Sequence, residues 1–221
     1  MAAMLPFKLP PITGVNTVIS AEKDIDGRNA RIGLWSLDDM VNGAKHLELN
    51  VIMCRVDGPF CISVWGEKRK LNPRKVIATF HGKWIVFLTL CKHYVMLKNV
   101  GSVIYFFDST GRTMQDYAVI KDMCYSFTSV IQLAENTLQG LLSDLCGPYC
   151  LMFAHLQSRS KRYDMTRIIK EYFEEGNPVP NDLAVIYFMC HTNVMAAVKP
   201  EYKTIQSLRN YLECPVNSYY M

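Results

Sequence analysis

The apolar periodicity of the chain turns from strand-like to helical near residue 108, and this limits the fold more than any other feature. Before that point lie Leu49–Val56, Phe60–Trp65, Val76–Phe80, Trp84–Leu90, His93–Leu97 and Val103–Phe107, all short and β-rich. They are separated by Asp57-Gly58-Pro59, Asn72-Pro73, His81-Gly82 and Asn99-Val100-Gly101. Short apolar runs bounded by such turn formers read as strands. This half therefore predicts a sheet, and runs 93–97 and 103–107 predict a hairpin. Beyond residue 108 the spacing is helical. Leu145–Leu156 is strongly apolar, Arg162–Glu174 is amphipathic, and Leu183–Val198 is apolar enough to be buried. Upstream, Ser36 followed by Asp39 predicts a capped helix start, with Leu37, Met40, Val41 and Ala44 at helical spacing. Strands first and helices after predict an α+β fold, with a central mixed sheet packed between helices.

No repeat, low-complexity tract or linker divides the 221 residues, so 1–221 is expected to form a single domain. Residues 1–30 are weakly patterned, with Pro6, Pro10, Pro11, Gly14 and Gly27, and read as an N-terminal arm. Half the residues are hydrophobic and a fifth are charged, which excludes a disordered tail or a fibre. The net charge of +4 permits contact with nucleic acid without demanding it. No apolar run approaches the roughly 18 residues that span a bilayer, so no membrane partner is expected. Met1 to Pro11 does not read as a secretory signal, and the protein is not expected to be secreted. The eight cysteines are then expected to be reduced thiols, not a disulfide framework. The question becomes which of them does chemistry.

Three segments carry the answer. Lys92-His93-Tyr94-Val95-Met96-Leu97 is a strand opening with histidine. Ile104-Tyr105-Phe106-Phe107-Asp108-Ser109-Thr110-Gly111 is a strand ending in a carboxylate and a turn. Gln139 to Cys150 is a polar loop running into an apolar helix that starts near Cys146. In a hairpin of the first two, His93 and Asp108 lie at one open end. Strands sit about 4.8 Å apart, so the carboxylate can bond one ring nitrogen and leave the other for a nucleophile. A helix N-terminus and a nearby imidazolium both favour the thiolate form of a cysteine. The Cys146 N–H is one of the helix's unpaired donors and can point at an oxyanion. Gln139, seven residues upstream, can supply a second donor from its side chain. Nucleophile, base, orienter and oxyanion donors together make a cysteine acyl-transfer site.

The order His, Asp, Gln, Cys resembles that of the adenovirus-type (adenain-like) and ubiquitin-like-protein-specific cysteine proteases. That family's His-Trp is similar to His93-Tyr94, and its aromatic strand ending in an acid is similar to Tyr105 through Gly111. Its Gln-Gly and Cys-Gly pairs, seven residues apart, are matched by Gln139-Gly140 and Cys146-Gly147. Tyr149-Cys150-Leu151-Met152-Phe153-Ala154-His155 resembles the viral branch, and Trp35 to Asn42 resembles the opening helix of the cellular branch. The resemblance spans about residues 35–200, which it marks as the catalytic core. It implies the adenain-type fold and an endopeptidase that matures viral structural precursors, in the virion and in the host nucleus or cytoplasm. Cys146 would be nucleophile, His93 base, Asp108 orienter and Gln139 oxyanion donor, with polypeptide substrates and no metal or organic cofactor. Adenain-like enzymes can be activated by DNA and by a viral peptide linked through a cysteine. Cys124 stands nearest that linking position, and the resemblance gives the peptide no further support.

Other readings fit the same residues. The same chemistry could remove a ubiquitin-like modifier from its conjugates. Lys83-Trp84 could stand for the His-Trp pair with histidine lost, which would leave a catalytically inactive module binding DNA or protein. Lys83, however, lies too far before Asp108 for one hairpin, whereas His93 precedes it by fifteen residues. Cys146 and Cys150 are separated by three residues, not the two of a thioredoxin-like motif. A zinc site from Cys146, Cys150 and His155 would need a fourth ligand. Cys150, and with it Cys54, Cys61, Cys91, Cys190 and Cys214, is expected to be packing. Lys68-Arg69-Lys70 and Arg159 with Lys161-Arg162 read as solvated surface, or as nonspecific phosphate contacts.

Overall fold

The computed structural model describes residues 22–23, 29–30, 35–68, 70–82, 84–140, 143–159 and 165–198. Most of the predicted arm, with Lys83, Arg69, Lys161, Arg162 and Cys214, lies outside the described residues. Within the arm, β1 (Glu22–Lys23) pairs antiparallel with β2 (Asn29–Ala30).

Helix α1 (Leu37–His46) starts where the cap predicts. The Ser36 hydroxyl accepts from the Asp39 N–H at 3.1 Å, and the Asp39 carboxylate accepts from the Ser36 N–H at 2.8 Å. This reciprocal box satisfies two of the helix's orphan donors. The sheet follows, built from β3 (Ile52–Gly58), β4 (Cys61–Val64), β5 (Lys70–Leu71), β6 (Ile85–Leu90), β7 (His93–Val100), β8 (Val103–Phe107) and β9 (Ser129–Gln132). Its order is β5-β4-β3-β6-β7-β8-β9. The β3–β6 and β8–β9 pairs are parallel and the others antiparallel, so the sheet is mixed. The predicted hairpin is β7–β8, with Met96 opposite Phe107 and Val100 opposite Val103.

The period of two sorts the strands' side chains onto two buried faces. Met53, Phe87, Met96 and Phe107 form a row across four strands. They belong to the core shared with α1, α4 (Cys146–Arg159), α5 (Met165–Tyr172), α6 (Pro178–His191) and α7 (Val194–Val198). Ile52, Val86, Leu97 and Phe106 form the adjacent row. These face the other way, onto α2 (Pro73–Val76), a short 3-10 turn at Ile77–Thr79, and α3 (Ala118–Met123). The sheet is thus packed between helices, as the α+β reading expects. Central β7 is buried along its length except at its ends, as a strand covered on both faces must be.

Val76–Phe80 and the half beyond residue 108 differ from the expectation. Val76–Phe80 is not a strand: Asn72 accepts from the Arg74 N–H at 3.0 Å, and Pro73 at the first helical position starts a turn of helix. An N-cap followed by proline overrides the β-branched composition of so short a run. In the half expected to be helical, β9 adds a parallel edge strand next to β8, with Phe106 opposite Gln132. The apolar stretch Leu183–Val198 is two helices, broken at Asn193 in a left-handed conformation (φ 57°).

The residue before Asp108 ties the sheet to α4. Phe107 is fully buried, and its ring stacks on Phe153 with centroids 4.6 Å apart. Phe107→Ala is expected to lose about 3–5 kcal/mol of folding free energy, measured as a lower urea midpoint with an unchanged m-value.

Candidate active site

The site lies where β7 begins, β8 ends and α4 starts. Leu90 pairs with His93 across a two-residue turn, in which Cys91 (φ 48°) and Lys92 (φ 68°) are both left-handed. That is the backbone of a primed hairpin turn, which normally selects glycine or asparagine. Here two ordinary residues take it immediately before His93. Strain of this kind gathers at functional sites when the surroundings over-determine the conformation.

Asp108 is fully buried just past the end of β8. A buried carboxylate must be compensated, and this one takes four hydrogen bonds. His93 Nε2 lies 2.9 Å from Oδ1. The Thr110 N–H and hydroxyl donate to the same oxygen at 2.8 and 2.7 Å. The Tyr117 hydroxyl donates to Oδ2 at 2.5 Å. Burial by itself would raise the Asp108 pKa. The hydrogen bond and charge of His93, with Tyr117 and Thr110, outweigh it and hold the carboxyl below its ordinary range. The turn that follows closes with the Gly111 N–H donating to the Asp108 carbonyl at 3.1 Å. Gly111 is left-handed (φ 73°), and a Cβ there would meet the Asn136 carbonyl carbon at 2.6 Å. Only glycine fits both demands.

With Nε2 on Asp108, His93 has Nδ1 for its hydrogen bond to Cys146. Burial works to lower the His93 pKa. The hydrogen bonds and charges of Asp108 and Cys146 prevail and raise it to about 9. The sulfur of Cys146 also accepts from the Tyr94 N–H at 3.4 Å and lies 4.0 Å from the Lys92 carbonyl. It therefore sits against the backbone on both sides of His93. Cys146 keeps 6% of its surface exposed, and the His93 side chain 19%, so access is narrow.

Cys146 is the first residue of α4, and the Leu145 carbonyl accepts from the Tyr149 N–H at 2.9 Å. The Cys146 N–H is thus one of the donors that a helix start leaves without an intrahelical partner. The next residue, Gly147, lets the helix approach closely. A Cβ there would meet Met40 Sδ at 2.7 Å and Tyr94 Cδ2 at 3.4 Å, and Met40 is fully buried. Cys150, one turn on, is fully buried, and its thiol pKa is pushed well up by burial. It belongs to the core, as expected.

Gln139 is buried in the loop before α4 and bonded to the turn that carries Asp108. Its Oε1 accepts from the Ser109 hydroxyl at 2.7 Å. Its backbone N–H and that of Leu138 donate to the Ser109 carbonyl at 2.9 and 2.8 Å. Its side-chain NH2 donates to the Ser143 carbonyl. An amide carries two such hydrogens, so this bond engages one of them. Leu141 and Leu142, between these partners, lie outside the described residues.

All four residues singled out in the sequence are therefore linked, three directly and Gln139 through Ser109. Tyr117, nine residues beyond Asp108, carries no local mark in the sequence. Ser109 and Thr110 read there only as turn formers, although a short hydroxyl beside a buried acid is a usable signal. Cys124 is buried against the opposite face of the sheet, its pKa pushed up to about 12 by burial, which is unfavourable for linking a peptide. His46 lies 3.0 Å from the Thr192 carbonyl through Nε2. No described helix is long and apolar enough to cross a membrane. No family model matches the chain, and no curated protein matches it.

The pH dependence follows from His93. Its folded pKa lies above the ordinary 6.5, so its contribution to stability is full below pH 6.5 and is lost as pH rises through about 9. The stability advantage of wild type over His93→Ala, read from urea unfolding, should shrink across that window. Asp108→Asn removes the charge that helps to raise His93. Its imidazole, followed by NMR, should titrate at lower pH than in wild type.

Proposed function

We propose that this chain is a cysteine endopeptidase of the adenain-like type that processes viral structural precursor proteins. The observation that carries the reading is the continuous hydrogen-bonded series Asp108–His93–Cys146, with the sulfur at the start of a helix. Cys146 Sγ attacks the scissile carbonyl carbon while His93 holds the thiol's proton. A C–S bond forms and the carbonyl π pair moves onto oxygen. The Cys146 N–H and the remaining Gln139 amide hydrogen stabilise that oxyanion. On collapse the C–N bond breaks, and His93 delivers its proton to the departing amine. His93 then takes a proton from water, whose oxygen attacks the acyl carbon. The C–S bond breaks, the acid leaves, and the thiol is restored. Asp108 keeps the imidazole oriented and offsets its positive charge whenever the ring carries the second proton.

The viral assignment, the polypeptide substrates and an action in the virion and in the host nucleus or cytoplasm rest on the resemblance of the three segments. DNA or a peptide as activator has the same basis, and the burial of Cys124 is unfavourable to a disulfide-linked peptide.

The test is the cleavage profile of the wild-type chain on a peptide library. Cys146→Ala and His93→Ala should each lower kcat/KM by at least about 10³-fold. Wild-type cleavage by either variant would remove the assignment. Labelling by a probe ending in a ubiquitin-like modifier's C-terminus, with no peptide cleavage, would favour a deconjugating enzyme instead. Salt-sensitive DNA binding without Cys146-dependent labelling would favour an inactive binding module.

A further inference from the structure

Among the described residues two acidic side chains are buried, Asp108 and Asp182. The triad uses the first and leaves the second without a role. Asp182 lies in α6, far from the triad in sequence, yet its contacts are with the segment that leads into Cys146. Its Oδ2 accepts from the Gly140 N–H at 3.2 Å, and its Oδ1 lies 2.9 Å from the Tyr149 hydroxyl. The Ser143 side chain donates to it as well. The preceding Asn181 continues the same attachment, donating to the Leu138 carbonyl at 3.1 Å while its own oxygen accepts from the Glu174 N–H at 2.8 Å.

We propose that Asp182 is a positioning residue for the oxyanion-binding segment. Its two oxygens tie the residue after Gln139 to Tyr149 on the helix that begins with Cys146, and so set the two oxyanion donors relative to each other. This rests on the protease reading of the site. The fit at Gly140 is tight: a Cβ there would stand 2.8 Å from Asp182 Oδ2. Tyr149 has a second acceptor within reach, the Leu138 carbonyl at 2.9 Å. One carboxylate thus gathers residues 140, 143 and 149 around the start of α4, and Leu138 joins them through Tyr149 and Asn181. Burial raises the Asp182 pKa to about 6 even against the hydrogen bonds from Tyr149, Gly140 and Ser143. A carboxylate kept buried at such a cost is commoner where geometry serves a site than where it serves packing alone.

The test separates alignment of oxyanion donors from reactivity of the thiol. Alkylation of Cys146 by iodoacetamide forms a C–S bond and expels iodide, with no tetrahedral oxyanion, whereas peptide cleavage passes through one. Asp182→Ala should lower kcat on a library-derived fluorogenic peptide by about 10- to 100-fold, with KM and the Cys146 alkylation rate within about 3-fold of wild type. Asp182→Asn can still accept from Gly140 and donate to Tyr149, and should restore kcat to within about 3-fold. Gly140→Ala, which displaces the carboxylate, should reproduce the split, and it decides the matter if Asp182→Ala does not fold. The inference is overturned if both disrupting variants cleave at the wild-type rate. It is equally overturned if alkylation slows as much as cleavage, or if Asp182→Asn is as slow as Asp182→Ala. A wild-type chain whose Cys146 alkylates but which cleaves no peptide overturns the protease reading, and the inference with it.

Discussion

The structure turns on a buried negative charge at Asp108. A carboxylate without solvent is tolerated only where donors surround it, and this one gathers them from three places. Thr110 comes from its own turn, His93 from the neighbouring strand, and Tyr117 from the segment before α3. Each bond constrains the element that supplies it. The imidazole is held by one nitrogen, and the backbone bends into a turn so tight that glycine is required at position 111. The charge that holds His93 in place also keeps it protonated well above its ordinary range.

A second constraint is how closely α4 approaches the sheet. The stacked pair Phe107 and Phe153 and the absence of a side chain at Gly147 bring the helix down onto β7 and β8. The sulfur of Cys146 then rests against the Tyr94 N–H and the Lys92 carbonyl, the backbone neighbours of His93. Core packing and candidate chemistry are therefore the same contact seen from two sides. A loss of packing at Phe107 would move the helix start that carries the thiol. The loop before α4 is joined to the acid's turn through Ser109, so the proposed oxyanion donor Gln139 and the buried carboxylate of Asp108 share one scaffold.

Much of this was legible in the residues. The Ser36 cap and Asp39 marked the first helix correctly, and the β7–β8 hairpin followed from two β-rich runs about a turn. The juxtaposition of His93 with Asp108 followed from that hairpin. Val76–Phe80 reads as a strand from its β-rich composition, yet the Asn72-Pro73 start signal prevails, and β9 is not legible because four residues at a parallel edge carry almost no local pattern. Tyr117 and Asp182 were invisible for a different reason. Their roles depend on partners brought close only by the fold, and neither neighbours a recognisable motif.

The sequence by itself determined the caps, the turns, the alternation that makes a two-faced sheet, and the order of histidine, acid, amide and thiol along the chain. These depend on residues a few positions apart, whose preferences act before any tertiary contact exists. Only the tertiary structure decided that Asp108 is compensated by Tyr117, that Gln139 is bound through Ser109, and that Asp182 reaches Gly140 and Tyr149. Those pairings join groups from distant segments, and each is set by the requirement that a buried polar atom find a partner once water has been excluded. That requirement arises only when the sheet and its helices have closed around the site.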